Sequence, residues 1–230
     1  MAADALAADA YADARVRQAW LAPIGARGTF DTDGNAATLD WWSLGVAGGY
    51  EGALDVASGN AHAGFGLGYI RSHGAADARL SGMDADGLHA GAYGGWADGP
   101  WTLSGSLAYA ANRISTERRI VFAGVDRTAA ADYWSHTIGF SGEVRHGLDV
   151  GGGTTVSPLV TLDAGWSGHA GFTETGADAL NLTGASQSWM RLDTGLGVAL
   201  GHVVPTADGK VTLEGRAIWE RAFADVVPSQ

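Results

Sequence analysis

The stretch Ala61-His-Ala-Gly-Phe-Gly-Leu-Gly-Tyr69 alternates apolar side chains with small or polar ones and ends on an aromatic residue. Successive side chains of a β-strand point to opposite faces, so this pattern predicts a strand with one apolar face and one polar or small face. The same pattern recurs in stretches of roughly ten residues as far as Arg216. This repetition predicts an all-β fold, a transmembrane antiparallel up-and-down β-barrel.

The pattern predicts about nine strands, joined by links that are alternately short and long. The strands fall near residues 17–25, 42–51, 61–69, 88–96, 101–109, 138–144, 156–166, 190–200 and 211–219. Short links lie near 55–59, 97–100, 147–153 and 205–209, and long polar links lie near 27–38, 71–84, 113–130 and 167–186. Outer-membrane barrels have short periplasmic turns and long extracellular loops, so the first strand is predicted to run outward.

Large aromatic residues lie at the ends of the apolar rows. With the predicted direction, six lie at extracellular ends and three at periplasmic ends, as amphipathic rings do at a bilayer boundary. The predicted membrane-interface aromatics are Trp42, Tyr69, Tyr109, Trp134, Trp166 and Trp219 on the extracellular side, and Tyr50, Trp96 and Trp101 on the periplasmic side.

Charged residues occupy the opposite row of the same strands. In a barrel they would line a polar lumen, whereas in a soluble β-sandwich they would form the solvated face. Mixed charges opposite a continuous apolar row with tryptophan ends favour the barrel. The predicted lumen-lining residues are Arg17, Glu51, Glu143, Arg145, Asp163, Arg191, Asp193, Glu214, Arg216 and Glu220.

Composition narrows the classes of function. The 230-residue chain has a net charge of −11 and no basic cluster, which argues against nucleic-acid binding. It contains no cysteine and therefore no disulfide or thiolate chemistry. Gly139-Phe-Ser-Gly142 lacks the spacing of a nucleophile elbow, so no enzyme activity is predicted. No metal site or cofactor is predicted either, because the histidines form no ligand motif.

Several motifs together resemble the translocator β-domain of autotransporters, the type V secretion proteins of Gram-negative bacteria. The segment Phe172-Thr-Glu-Thr-Gly-Ala-Asp-Ala-Leu-Asn-Leu182 is similar to the FxExGAxxLxL segment of that family. Gly91-Ala-Tyr-Gly-Gly-Trp96 before a tight turn, Tyr109-Ala-Ala-Asn112 leading into Arg119-Ile-Val-Phe-Ala-Gly124, Asp33-Gly-Asn35 in the first outer loop and Arg216-Ala-Ile-Trp-Glu220 in the last strand add to the likeness. The resemblance covers residues 15–225.

The resemblance implies a barrel of roughly twelve strands in the bacterial outer membrane, acting as a monomer. Its lumen would hold a helical linker to an N-terminal passenger, which the barrel anchors and exports with the help of the barrel-assembly machinery. Residues 1–14 would be the end of that linker helix or a disordered tail, and residues 15–230 the β-domain.

The ninth predicted strand runs outward and lacks the family's terminal aromatic, so the chain is expected to be a fragment that lacks about three strands. The alternatives to a translocator are a passive porin-like or structural outer-membrane barrel and an exposed β-sandwich adhesin.

Overall fold

A computed structural model describes residues 17–31, 37–206 and 209–223. Nine long strands form one antiparallel sheet in the order β1-β2-β3-β4-β5-β6-β8-β11-β12, with each long strand beside its sequence neighbour. They are β1 (Gln18–Phe30), β2 (Leu39–Leu54), β3 (Asn60–Ala76), β4 (Ser81–Asp98), β5 (Trp101–Phe122), β6 (Val125–His146), β8 (Thr154–His169), β11 (Gln187–Thr206) and β12 (Gly209–Ala222).

Three short strands accompany the sheet. The strand β7 (Leu148–Gly151) pairs with β8, while β9 (Phe172–Thr173) and β10 (Thr183–Gly184) pair with each other between β8 and β11. Two single-turn 3₁₀ helices lie at Asp77–Arg79 and Asp178–Leu180. The described residues include no helix that is long and apolar enough to span a membrane.

The two faces of the sheet separate side chains as the alternating pattern predicts. Large apolar side chains point outward and stay exposed; Leu67 is 63% exposed and Leu196 is 58% exposed. The opposite face carries the glycines and charged residues of the alternate row. The described chain has only a handful of buried apolar residues, all alanine or leucine, so the apolar surface is turned outward and not into a core.

Two long links predicted from the sequence are strands in the structure. The links at 71–84 and 113–130 were expected as polar loops, but β3 and β4 pair until Ala76 meets Ser81, and β5 and β6 pair until Phe122 meets Val125. The prediction of loops was wrong because the outward row of these segments is largely polar, so the apolar alternation that marks a strand is lost. Hydrophobic alternation disappears where a sheet leaves the bilayer, although the backbone ladder continues.

The sheet curves toward its polar face. The indole nitrogen of Trp20 on β1 lies 3.2 Å from the hydroxyl of Tyr93 on β4, although β2 and β3 lie between. Likewise, Arg145 on β6 reaches Glu214 on β12 across β8 and β11, at 3.0 Å. Three strand spacings would span about 14 Å in a flat sheet, so these contacts make the polar face concave.

The opposite environments of the two faces predict opposite effects for neighbouring substitutions. Phe140 points outward, whereas a Cβ added to Gly139 on the concave face meets no atom within 4 Å. Phe140→Arg should impair membrane insertion, because arginine near the bilayer midplane costs about 2–4 kcal/mol. Gly139→Arg should insert almost normally. Refolding yield into liposomes, read by heat-modifiable mobility, measures both; equal losses would contradict a lipid-facing row.

The predicted direction of β1 can be tested at two glycine turns. Gly99 joins β4 to β5 and Gly124 joins β5 to β6; both have positive φ, and nothing lies within 4 Å of an added Cβ. Protease sites inserted beside Gly124 should be cut on intact cells, because this hairpin projects outward. Sites beside Gly99 should be cut only after the outer membrane is permeabilised. The reverse accessibility would invert the assigned topology.

Candidate functional site

The concave face carries a network of four charged side chains on β6 and β12. Glu143 accepts hydrogen bonds from Arg145 at 2.8 Å and from Arg216 at 2.8 Å, using both carboxylate oxygens. Arg145 also donates to Glu214 at 3.0 Å. Each charge therefore has an opposite partner on a neighbouring or curved-in strand, which offsets part of the cost of holding charges close together.

A second charged group lies further along β8, β11 and β12. Asp163 and Asp193 stand directly opposite each other in the ladder, an arrangement that repels when both are ionised. Arg191 donates to Asp193 and also interacts electrostatically with Asp163 and Glu220. This one arginine thus counters three carboxylates, and the group keeps a negative balance facing the interior.

The wall formed by β1 to β4 carries aromatic side chains laid over glycines. Trp20 covers Gly49 and Gly66, where an added Cβ would lie 2.6 Å and 2.9 Å from its ring. Tyr93 covers Gly64 in the same way, with 2.6 Å to its ring. Any larger residue would push these rings away, so the glycines create the room that the rings occupy.

Tyr93 also connects this wall to the predicted acidic residue Glu51. The Tyr93 hydroxyl donates to Glu51 at 2.5 Å and accepts from the Trp20 indole. Sequence reasoning did not assign either ring to the interior. The available signal was their parity, because both occupy the row that otherwise carries small and polar residues.

A largely apolar hollow of about 320 Å³ lies beside these rings on the concave face. Its small residues include Gly66, Gly68, Gly91 and Ala108, and its larger ones include Trp20, Ile24, His89 and Tyr93. The interior is consequently two-sided, with a small and apolar wall at β1 to β5 and a charged wall at β6 to β12.

The structure places nine of the ten predicted lumen residues on the concave face. They are Glu51, Glu143, Arg145, Asp163, Arg191, Asp193, Glu214, Arg216 and Glu220. Arg17 differs, because its side chain lies over Gly52, whose position belongs to the outward row of β2. It precedes the first paired residue, Gln18, by one position and so has the opposite parity to the Gln18–Glu51 pair.

The nine predicted aromatics all belong to the outward row, and all but Trp96 are strongly exposed. On β2, Trp42 and Tyr50 are eight residues apart, as are Trp101 and Tyr109 on β5. Eight residues span about 27 Å along a strand, or roughly 20 Å of height at the tilt of a barrel strand. That spacing is close to the height of the apolar band of an outer-membrane barrel.

The ladder register also shows an overall tilt of these aromatic ends, from which Trp134 departs because it pairs with Arg113. Trp42 lies in the rung that includes Ser115 of β5, whereas Trp219 lies in the rung that includes Leu103. The extracellular aromatics therefore descend the ladder from β2 to β12. Strands inclined to the membrane normal require such a descent if the rings are to lie at one height.

The segment Phe172–Leu182 folds over the concave side of the projecting β5–β6 hairpin. Thr175 exchanges two backbone hydrogen bonds with Ala130, each 2.9 Å, and Phe172 stacks on Tyr133. Ala129 beneath the segment is 0% exposed. Gly176, with φ +97°, approaches Thr128 so closely that an added Cβ would lie 2.4 Å from its carbonyl oxygen.

Glu174 holds this segment in place. Its side chain is 8% exposed; it accepts from Arg118 at 2.6 Å and from the backbone amide of Leu182 at 2.8 Å. The Arg118 guanidinium, assisted by that amide, holds the pKa of the Glu174 carboxyl below its ordinary value, against the opposing effect of desolvation. Arg118 also donates to the carbonyl of Leu180 at 3.1 Å.

Comparison with known proteins agrees with this architecture. Residues 19–230 match the family described as the Autotransporter beta-domain. The chain is similar to the β-domain of the Bordetella autotransporter BrkA, with 19% identity, 90% of this chain and 79% of that chain covered, and a TM-score of 0.59. It is also similar to the translocator domain of the autotransporter NalP from Neisseria meningitidis, with 19% identity, 96% of this chain and 76% of that chain covered, and a TM-score of 0.63. No curated protein matches the chain significantly.

The geometry of Glu174 predicts how the covering segment loosens. Glu174→Gln should weaken the attachment of the segment by about 1–3 kcal/mol, because the half-buried Arg118 guanidinium loses its charged acceptor. A matched control is Asp178→Asn, because Asp178 is 73% exposed in its pair with Arg127 and contributes at most about 1 kcal/mol. Amide exchange of Leu182 measures the difference.

The lowered pKa of Glu174 sets the direction of the pH effect. A carboxyl with a lowered folded-state pKa stabilises above its unfolded value, and this stabilisation is lost as the pH falls through the folded value. Protection of Leu182, corrected for intrinsic exchange rates, should therefore fall below about pH 4 in the native chain. Glu174→Gln should remove that dependence; an unchanged profile would contradict the assigned role.

Proposed function

The chain belongs to the autotransporter β-domain family, and we propose that its two-sided concave face seats the polypeptide that joins the barrel to its passenger. Members of this family are outer-membrane barrels of Gram-negative bacteria that anchor and export an N-terminally linked passenger in type V secretion. Family membership decides between the translocator and the porin-like barrel in favour of the translocator. The proposal concerns transport and includes no enzymatic step.

The observation that carries the proposal is the contrast between the two faces of one sheet. The outward face exposes a continuous apolar row, which lipid solvates, while the concave face holds paired charges such as Glu143 and Arg216. A polypeptide inside the barrel would exchange hydrogen bonds with these charged groups. The predicted lumen-lining role of the concave charges thus has a physical basis.

The two walls favour an amphipathic occupant with one small apolar side. The hollow beside Trp20 and Tyr93 has a floor of glycine and alanine, which lets a backbone approach closely. The facing wall presents Arg145, Arg191 and Arg216 among carboxylates. An occupant with alanines on one side and polar residues that hydrogen-bond to these paired charges on the other would fit both walls.

The sequence before β1 has that character. Residues 2–14 are rich in alanine and contain Asp4, Asp9 and Asp13. Alanine has the highest helix propensity, and these residues lead directly into Gln18 at the predicted periplasmic end of β1. Residues 1–16 lie outside the described part of the chain, so their place in the lumen is part of the proposal.

We further propose that the barrel-assembly machinery is a partner during insertion and that the finished barrel is monomeric. β1 and β12 stand at the two ends of the described sheet order, and a strand edge carries backbone donors and acceptors. Lipid cannot satisfy these groups, each of which costs several kcal/mol when unpaired. A protein that shields the edges during insertion would remove this cost.

Site-specific cross-linking tests the seat of the passenger linker. Ala108 lines the hollow, and its neighbour Leu107 points outward and is 55% exposed. With a reporter passenger fused upstream, a photoreactive residue at position 108 should cross-link to residues before 17, whereas one at position 107 should not. Peptide mapping by mass spectrometry identifies the products.

Two results would count against the seat. Cross-links from position 107 but not 108 would place the linker outside the barrel. Cross-links to the linker from the charged wall alone, for example from position 139, would show that the linker does not occupy the hollow. They would not contradict translocation. Surface display of the reporter, scored separately, shows whether each variant still exports its passenger.

A further inference from the structure

A polar groove lies on the outer face of the sheet, on the side away from the lumen. It has a volume of about 360 Å³ and lies where β3 to β6 continue beyond the extracellular aromatics. Its outward-facing lining includes His73, Asp84, Ser115, Glu117 and Asp132 around the small residues Gly82 and Ala130. The described sheet thus offers hydrogen-bonding groups on a face that a few residues earlier is entirely apolar.

Two arginines border this groove on its membrane side. Arg71 and Arg113 occupy one rung of the ladder, on either side of Asp86. Their backbones are two strand spacings apart, roughly 10 Å, so the two long side chains can converge on one group between them. The carboxylate of Asp86, which lies between them, accepts a hydrogen bond from the Tyr69 hydroxyl.

Both guanidinium groups retain capacity to donate hydrogen bonds. Arg71 lies 3.9 Å from Asp84 and Arg113 lies 3.6 Å from Asp132, and the arginine side chains are 56% and 60% exposed. Ion pairs this long and exposed contribute little stability. By contrast, Arg119 further out on β5 makes two hydrogen bonds to Asp126, at 2.9 Å and 2.6 Å, and is already engaged.

The height of the groove determines what it would contact. Arg71 follows the interface residue Tyr69 by two positions on the same outward row, and Arg113 follows Tyr109 by four. In a barrel with this orientation, these positions face the headgroups of the outer leaflet and not water alone. In the Gram-negative outer membrane those headgroups are phosphorylated sugars.

We propose that this groove binds the headgroup of a phosphorylated glycolipid of the outer leaflet. The planar guanidinium groups of Arg71 and Arg113 match phosphate oxygens with paired donors. Asp84, Ser115, Asp132 and His73 supply acceptors and donors for sugar hydroxyls further out in the groove. The lipid's acyl chains then continue down the outward apolar row, past Tyr69 and Leu67.

The test uses the full barrel purified from outer membranes in mild detergent and reconstituted in phosphatidylcholine nanodiscs. The probes are lipid A, the same lipid with its phosphates removed, and inorganic phosphate, each measured for binding by native mass spectrometry. Lipid A should bind at least about tenfold more tightly than either other probe, the loss expected for one charge-assisted contact. Equal binding of free phosphate or of the dephosphorylated lipid would overturn the proposal.

Substitutions on one strand provide matched controls. Arg113→Gln should weaken lipid A binding about tenfold, whereas Arg119→Gln, three outward positions further along β5, should leave it unchanged. Arg71→Gln tests the other side of the groove if Arg113→Gln fails to fold, and heat-modifiable mobility reports folding in each case. Equal effects of the substitutions at 113 and 119 on lipid A binding would refute glycolipid binding.

Discussion

The requirement that every backbone amide and carbonyl within lipid find a partner organises this molecule. A strand meets that requirement only through its two neighbours, so the chain pairs each long strand with the next along a continuous ladder. With the backbone fixed in the ladder, strands differ only in their side chains. Alternate side chains along each strand point to lipid and to the interior. This division suits a translocator barrel, because the outward face can be fully apolar while the inner face remains available to a polypeptide.

The interior glycines make room for aromatic side chains on the concave face. Trp20 and Tyr93 can lie flat against the concave face because Gly49, Gly64 and Gly66 leave room for them. Their contact in turn connects β1 to β4 through a hydrogen bond that a flat sheet would not permit. The charged contacts from β6 to β12 likewise join strands that would be too far apart in a flat sheet, here through long side chains such as Arg145 and Glu214.

Parity made most of the fold predictable from the sequence. Eight of the nine long strands contain the stretches predicted for them and β1 begins one residue later than predicted, while the outward position of residues such as Leu196 follows from alternation alone. Strand length was not predictable, because hydrophobic alternation ends at the bilayer while the β5–β6 ladder continues to Phe122. Arg17 shows another limit, since one residue beyond a strand end is enough to reverse the inferred face.

Contacts between residues far apart in the chain could also not be predicted from the sequence. The motif around Glu174 was recognisable, but its partner Arg118 lies 56 positions away and only the folded hairpin brings the two together. The chemical character of one row also changes along the strand. On β3, the apolar and aromatic residues Leu67 and Tyr69 are followed by Arg71 and His73 on the same face. Sequence alternation reveals which residues share a face, and the surrounding medium at each height then decides what that face can bind. The outward row therefore passes from acyl chains to headgroups without any change in backbone structure.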